Sequence, residues 1–190
     1  PNLIEPKEGE YPFINKALRD LFHDPRHPEQ LDRFLDWASH CYKAVATHKR
    51  QQTPALALVG KAGGGKSFVI ELLKLLLGGR ARSGYAYMAG ETKFNGEMMH
   101  AELLTIDDDA ISKDHRARAR LSQSIKSNLF AGAMSIEGKN KWAFDADPIH
   151  AFVMAVNDDP EELRVLPELL ESMRDKIILM KCDKAVLLDS

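Results

Sequence analysis

Gly60-Lys61-Ala62-Gly63-Gly64-Gly65-Lys66-Ser67 fits the pattern G-x-x-x-x-G-K-[ST]. The chemistry of such a stretch is anion binding. Glycines let backbone N–H groups converge on a phosphate without side-chain clashes. A helix starting at the loop adds its partial positive charge. Lys66 would carry a mobile charge to β- and γ-phosphates, and the Ser67 hydroxyl could ligate Mg²⁺. Both are expected on a solvent-facing loop.

Two further places could share that chemistry. Leu103-Leu104-Thr105-Ile106 runs into Asp107-Asp108-Asp109. Acids at the carboxyl end of a parallel strand stand where open α/β sheets place ligands. Asp107 would hold Mg²⁺ directly or through water, and Asp108 would orient an attacking water. A solvated turn has the same composition, but the glycine loop upstream favours the ligand reading. Asn157 ends another apolar run. Its amide could hold the water or read a γ-phosphate. The alternative is a turn asparagine ahead of Asp158-Asp159-Pro160.

The surrounding elements must position these groups. Ala55–Val59 is an apolar run of strand length, and the run after Ser67 is amphipathic up to Gly78-Gly79. Strand, loop and helix in that order are the context that the glycine pattern requires. Further strands are expected at Ser83–Met88, Leu103–Ile106, Ala151–Val156 and Ile177–Met180, and a hairpin over Ser135–Phe144. Helices are expected over Phe13–Phe22, from Pro28-Glu29 to about His48, over His115–Ala131, and over Glu161–Met173 with a break at Pro167. Strands alternating with helices imply an α/β fold: a parallel sheet flanked by helices. The polar stretch Lys49–Pro54 divides the chain into a small N-terminal helical section, 1–50, and a P-loop domain, 51–190.

The chain has 190 residues, 44% hydrophobic and 28% charged, with a formal net charge of −2. Any nucleic-acid contact must therefore come from a local basic patch. Lys113, His115, Arg116, Arg118, Arg120 and Lys126 form the most basic stretch. Lys139, Lys141 and Trp142 lie on the expected hairpin, where basic groups beside an aromatic suit a phosphate backbone with a stacked base. A solvated helix face and a core tryptophan are the plainer alternatives. Cys41 and Cys182 lie far apart, outside metal-ligand spacing, which suits structural thiols in a reducing compartment. No run approaches a membrane span and no signal peptide is visible, so a cytoplasmic location is expected.

Taken together and in order, these motifs resemble superfamily 3 helicases, AAA+ motors of viral, phage and plasmid replication proteins, over roughly residues 31–182. Phe34–Ala38 resembles the lead-in helix of the poxvirus/phage primase-helicase branch, and Leu56–Ser67 its Walker A. Lys93-Phe94-Asn95-Gly96 with Ala101–Asp108 resembles the approach to Walker B. Ile125-Lys126 through Lys139–Phe144 resembles motif B′, which carries a DNA-contacting hairpin, and Ala155–Pro160 resembles motif C with its sensor asparagine. Arg174–Ile178 resembles the closing element whose arginine is the finger; Arg164 is its rival.

The resemblance implies an ATP-hydrolysing AAA+-like motor that binds ATP and Mg²⁺. It would translocate on or unwind DNA as a homo-oligomeric ring, expected to be hexameric, in a bacterial, phage or viral replication context. Lys139 and Lys141 would meet single-stranded or forked DNA. Two departures stand out: Asp108 where glutamate is usual, and one closing arginine where relatives often have two. The first leaves open an alternative, a nucleotide-dependent switch or assembly ATPase without helicase activity, and the second leaves Arg164 as the rival finger. A small-molecule kinase uses the same loop but has less need of Asn157 and Arg174.

Overall fold

Strands buried on both faces need nearly continuous apolar sequence, and three runs supply it. These are β1 (Ala55–Val59), β3 (Leu103–Ile106) and β6 (Ala151–Val156), each buried along its whole length. The computed structural model describes residues 3, 5–47, 53–130, 134–140, 142–146, 151–167 and 173–183. With β2 (Ala81–Ser83) and β7 (Ile177–Lys181) the three form a five-stranded sheet in the order β2-β3-β6-β1-β7. Every pairing is parallel; Leu56 stands opposite Val153 of β6 and Ile178 of β7.

Side chains alternate across this sheet and divide the core in two. Leu56, Leu58, Val153, Ala155 and Met180 face one layer, with Leu21, Phe34, Trp37, Ile70 and Leu73. That layer holds helices α1 (Pro12–Leu21), α2 (Gln30–Thr47) and α3 (Lys66–Leu76). Ala57, Leu104, Ile106, Phe152 and Met154 face the other, with Leu121 and Ile125 of α5 (His115–Phe130) and Met134 and Ile136 of β4 (Met134–Ile136). Strand β4 pairs antiparallel with β5 (Phe144–Ala146) to make the expected hairpin.

The N-terminal helices are fastened to the sheet at the loop end. Leu21 lies where a Cβ on Gly65 would meet its Cδ1 at 3.0 Å. Gln30, buried, imitates a neighbouring strand: its Oε1 accepts from Lys181 N at 2.7 Å while its Nε2 donates to the Lys181 and Phe22 carbonyls.

Two expected elements are corrected. Ser83–Met88 is not a strand. β2 ends at Ser83, and Tyr85–Met88 forms a helical turn, α4. Alternating Tyr85 and Tyr87 imitate strand spacing, but Tyr85 is buried and its hydroxyl accepts from Ser112 N at 3.0 Å. Of the helix expected over Glu161–Met173 with a break at Pro167, the part before the break is a 3₁₀ turn, Glu162–Val165; residues 168–172 lie outside the described residues.

Candidate functional site

β1 delivers the glycine loop to the carboxyl edge of the sheet, between the ends of β6 and β7. Gly63 and Gly65 have φ of +72° and +89°, which side chains rarely tolerate. Gly60 lies so close to the Cys182 carbonyl that any Cβ there would collide with it. The loop is thus packed against the residue that follows β7, and Cys182 N donates to Val59 O at 2.7 Å to fix that contact. Burial pushes the Cys182 and Cys41 thiols up to about 12, in keeping with structural thiols.

Lys66, the first residue of α3, is not on an exposed surface: it is 3% exposed. Its Nζ donates to Gly60 O at 3.0 Å, Lys61 O at 2.9 Å and Asn157 Oδ1 at 2.8 Å, and stands 3.2 Å from Asp108 Oδ2. Ser67 is exposed and donates to Asp107 Oδ1 at 3.0 Å. The ends of β1, β3 and β6 therefore bring Lys66, Ser67, Asp107, Asp108 and Asn157 into one cluster. Burial first, and then the hydrogen-bonded carboxyl of Asp108, hold the Asp107 carboxyl above its ordinary range, against the Ser67 hydroxyl that lowers it. Ser67 and Asp107 offer hard oxygen atoms side by side. That set fits Mg²⁺, which takes one or two protein ligands and completes its shell with water and phosphate.

Two residues of this cluster were not legible as part of it. Glu162 Oε2 accepts from Asn157 Nδ2 at 3.1 Å. Arg118 is 6% exposed, donates to the Ser112 and Glu161 carbonyls at 2.8 Å each, and lies 3.8 Å from Glu162 Oε1. In the sequence Arg118 is one cation of a basic helix, and no spacing singles it out. A glutamate five residues after an asparagine is equally ordinary.

The hairpin lies apart from this cluster, beside the 3₁₀ turn Gly96–His100. Asn95, 3% exposed, binds it along the backbone: Nδ2 donates to Ser135 O at 2.8 Å and Oδ1 accepts from Glu137 N at 2.7 Å. Lys139 is exposed beside Asn140, which takes φ of 60°. Lys141 lies outside the described residues. Trp142 is not a core residue: it is 95% exposed. A cavity of about 630 Å³ opens between the hairpin and α4, lined by Tyr87, Phe94, Met99, Lys139 and Phe144 among others.

Arg174 is exposed, with no ion-pair partner among the described residues. It precedes β7 at the amino edge of the sheet, where Lys176 O accepts from Ala55 N at 2.7 Å. The glycine loop is at the opposite edge. Arg164, in the 3₁₀ turn after β6, is also exposed.

A family model matches residues 58–169, from within β1 past the 3₁₀ turn that holds Glu162. The chain belongs to DUF5906, a family of unknown function. No curated protein matches this DUF5906 chain. Among solved structures, the apo NrS-1 C terminal region (305-718) superposes with a TM-score of 0.73 at 14% identity, over 96% of this chain and 41% of that one. The X-ray structure of JCV Helicase superposes with a TM-score of 0.52 at 13% identity, over 92% of this chain and 45% of that one. The DUF5906 chain thus spans less than half the length of either structure. These likenesses establish the fold, a P-loop NTPase parallel sheet flanked by helices. Among the described residues no helix is long and apolar enough to cross a membrane.

Proposed function

We propose that this chain is the ATP-hydrolysing motor domain of a replication helicase, working on DNA as a ring. The observation that carries the ATPase part is the cluster at the carboxyl edge of the sheet. Lys66, Ser67, Asp107, Asp108 and Asn157 converge there from three strands, around a glycine loop in which Gly63 and Gly65 take positive φ. Lys66 would meet the β- and γ-phosphates, and Ser67 and Asp107 would hold Mg²⁺. When bound, Mg²⁺ supplies charge neutralisation across the phosphates. Asp108 would orient the attacking water, and Asn157 would read the γ-phosphate. Lys139 and Lys141 would meet the DNA backbone, with Trp142 offering an exposed face for a base. The likeness in fold to a structure named as a helicase supports this reading.

One feature favours a second reading. Asp108 has a shorter carboxylate than glutamate and stands 3.2 Å from Lys66. Slow hydrolysis would suit a nucleotide-dependent switch or assembly ATPase. ATP turnover with and without single-stranded DNA separates the two, with the oligomeric state followed in the presence of an ATP analogue. A motor is expected to assemble and to turn over faster on DNA. Turnover that DNA leaves unchanged in a protein that binds ATP would favour the switch. Failure to bind ATP would end both readings.

A further inference from the structure

Asn157 stands between a cation and an anion. Lys66 has only donors to offer and the Glu162 carboxylate only acceptors. The amide is therefore forced into one orientation, with Oδ1 toward Lys66 at 2.8 Å and Nδ2 toward Glu162 at 3.1 Å. That orientation presents the wrong edge to a phosphate oxygen held by Lys66. A phosphate oxygen accepts hydrogen bonds, and one drawn to Lys66 would meet Oδ1, acceptor against acceptor. Nδ2 keeps a second N–H, but to donate from the edge that faces Lys66 the amide must turn about its terminal torsion. Turning carries Oδ1 toward Glu162, where two acceptors would again be opposed.

The clash is relieved only if the carboxylate withdraws, and the structure provides a destination. Arg118 Nη2 lies 3.8 Å from Glu162 Oε1, too far for a hydrogen bond but within closing distance. The guanidinium itself is fixed, because its Nε and Nη1 are engaged by the carbonyls of Ser112 and Glu161. We propose that Glu162 is a positioning residue that holds the Asn157 amide turned away from the γ-phosphate until the phosphate displaces it, with buried Arg118 taking up the released carboxylate. The proposal rests on the nucleotide reading above and adds to it a control over the discrimination of ATP from ADP. Since Arg118 stands on α5, that helix is the element that registers the exchange.

The test is the ratio of two dissociation constants, for Mg–ADP and for the non-hydrolysable analogue Mg–AMP-PNP. Glu162→Gln replaces the carboxylate by an amide that can face Asn157 with either a donor or an acceptor, so the turned state no longer opposes two acceptors. The ratio of the ADP constant to the AMP-PNP constant should rise about tenfold, the weight of one hydrogen bond to an ionised acceptor. Glu162→Ala should raise it too, and neither change should matter in an Asn157→Ala background. The Glu162 side chain is 24% exposed, so both variants should fold, and their melting temperatures check this. A ratio that stays put or falls, in a folded variant that binds ADP, overturns the proposal while the nucleotide reading stands. A folded wild-type protein that binds no ADP overturns the nucleotide reading, and the proposal with it.

Discussion

At the scale of single residues, the cluster binds its charges to one another. Asp107 is held above the ordinary carboxylate value, chiefly by burial. A carboxyl raised in this way favours the fold when protonated, and its ionisation costs stability above the raised value. Asp107→Asn keeps the acceptor for Ser67 and removes that cost. It should raise the melting temperature of the protein at neutral pH. The gain should shrink as the pH falls through the titration of Asp107 and vanish below about 3.8, the ordinary value. Melting curves across that range check it, and a gain that does not vary with pH would assign it to packing. Lys66 behaves differently from a lysine on an open loop. Lys66→Ala removes a cation 3.2 Å from the Asp108 carboxylate and three donated hydrogen bonds. We expect a loss of about 1–3 kcal/mol in stability, or roughly 2–4 °C in melting temperature per kcal/mol, besides the loss of ATP turnover. An unchanged melting temperature would show that the Lys66 contacts contribute nothing to the fold. The sequence displayed Lys66 and Ser67 through the glycine pattern, and Asp107, Asp108 and Asn157 because they follow apolar runs at strand ends. It concealed Glu162 and Arg118, since their meeting depends on a turn after β6 packing on α5, which no local pattern encodes.

At the scale of elements, legibility followed burial. Strands β1, β3 and β6 have the expected limits because both faces are covered and every position must be apolar. Strand β2, with its partly exposed side chains, carries no such pattern, and it ends at Ser83, where the expected strand begins. The hairpin was legible from its turn residues, but one of its fastenings was not: the buried Asn95 amide binds it from a loop forty residues upstream. Asn95→Ala removes two hydrogen bonds from backbone groups of the hairpin. It should cost about 2–3 kcal/mol and weaken single-stranded DNA binding at the same time. Stability lost with DNA affinity intact would separate the hairpin from the DNA. The lysines give a second handle on the same element. If Lys139 and Lys141 both touch phosphates, their joint replacement by alanine lowers the slope of log affinity against log salt by roughly 1.4. An unchanged slope would return the hairpin to a purely structural role.

At the scale of the whole molecule, the sheet decides which arginine can act where. Arg174 precedes β7, whose first residue lies opposite Ala55, the first of β1. The glycine loop follows the last residue of β1. A strand of five residues, about 16 Å, separates the two edges. Arg174 is thus a strand's length away from its own loop. A cation that acts on a neighbour's γ-phosphate has no need to reach its own loop. Arginine suits the task because its planar fork meets two oxygens and stays charged. Where such a finger acts it is typically worth about 10³–10⁵ in rate. Arg164 differs, since it follows the carboxyl end of β6 and shares an edge with its own loop. The plainer account of Arg174 is an exposed residue in a surface turn, with at most a local ion pair worth under about 1 kcal/mol. Mixing experiments separate these accounts. Arg174→Ala and Lys66→Ala should each be inactive alone. Mixed, they form some interfaces that pair an intact loop with an intact arginine, so part of the ATPase activity should return. A mixture that stays inactive under conditions where the wild-type protein assembles and turns over would exclude Arg174 as a finger in trans. Recovery by Arg164→Ala with Lys66→Ala, and not by Arg174→Ala, would move the role to the other arginine and require the subunits to meet across the carboxyl edge instead.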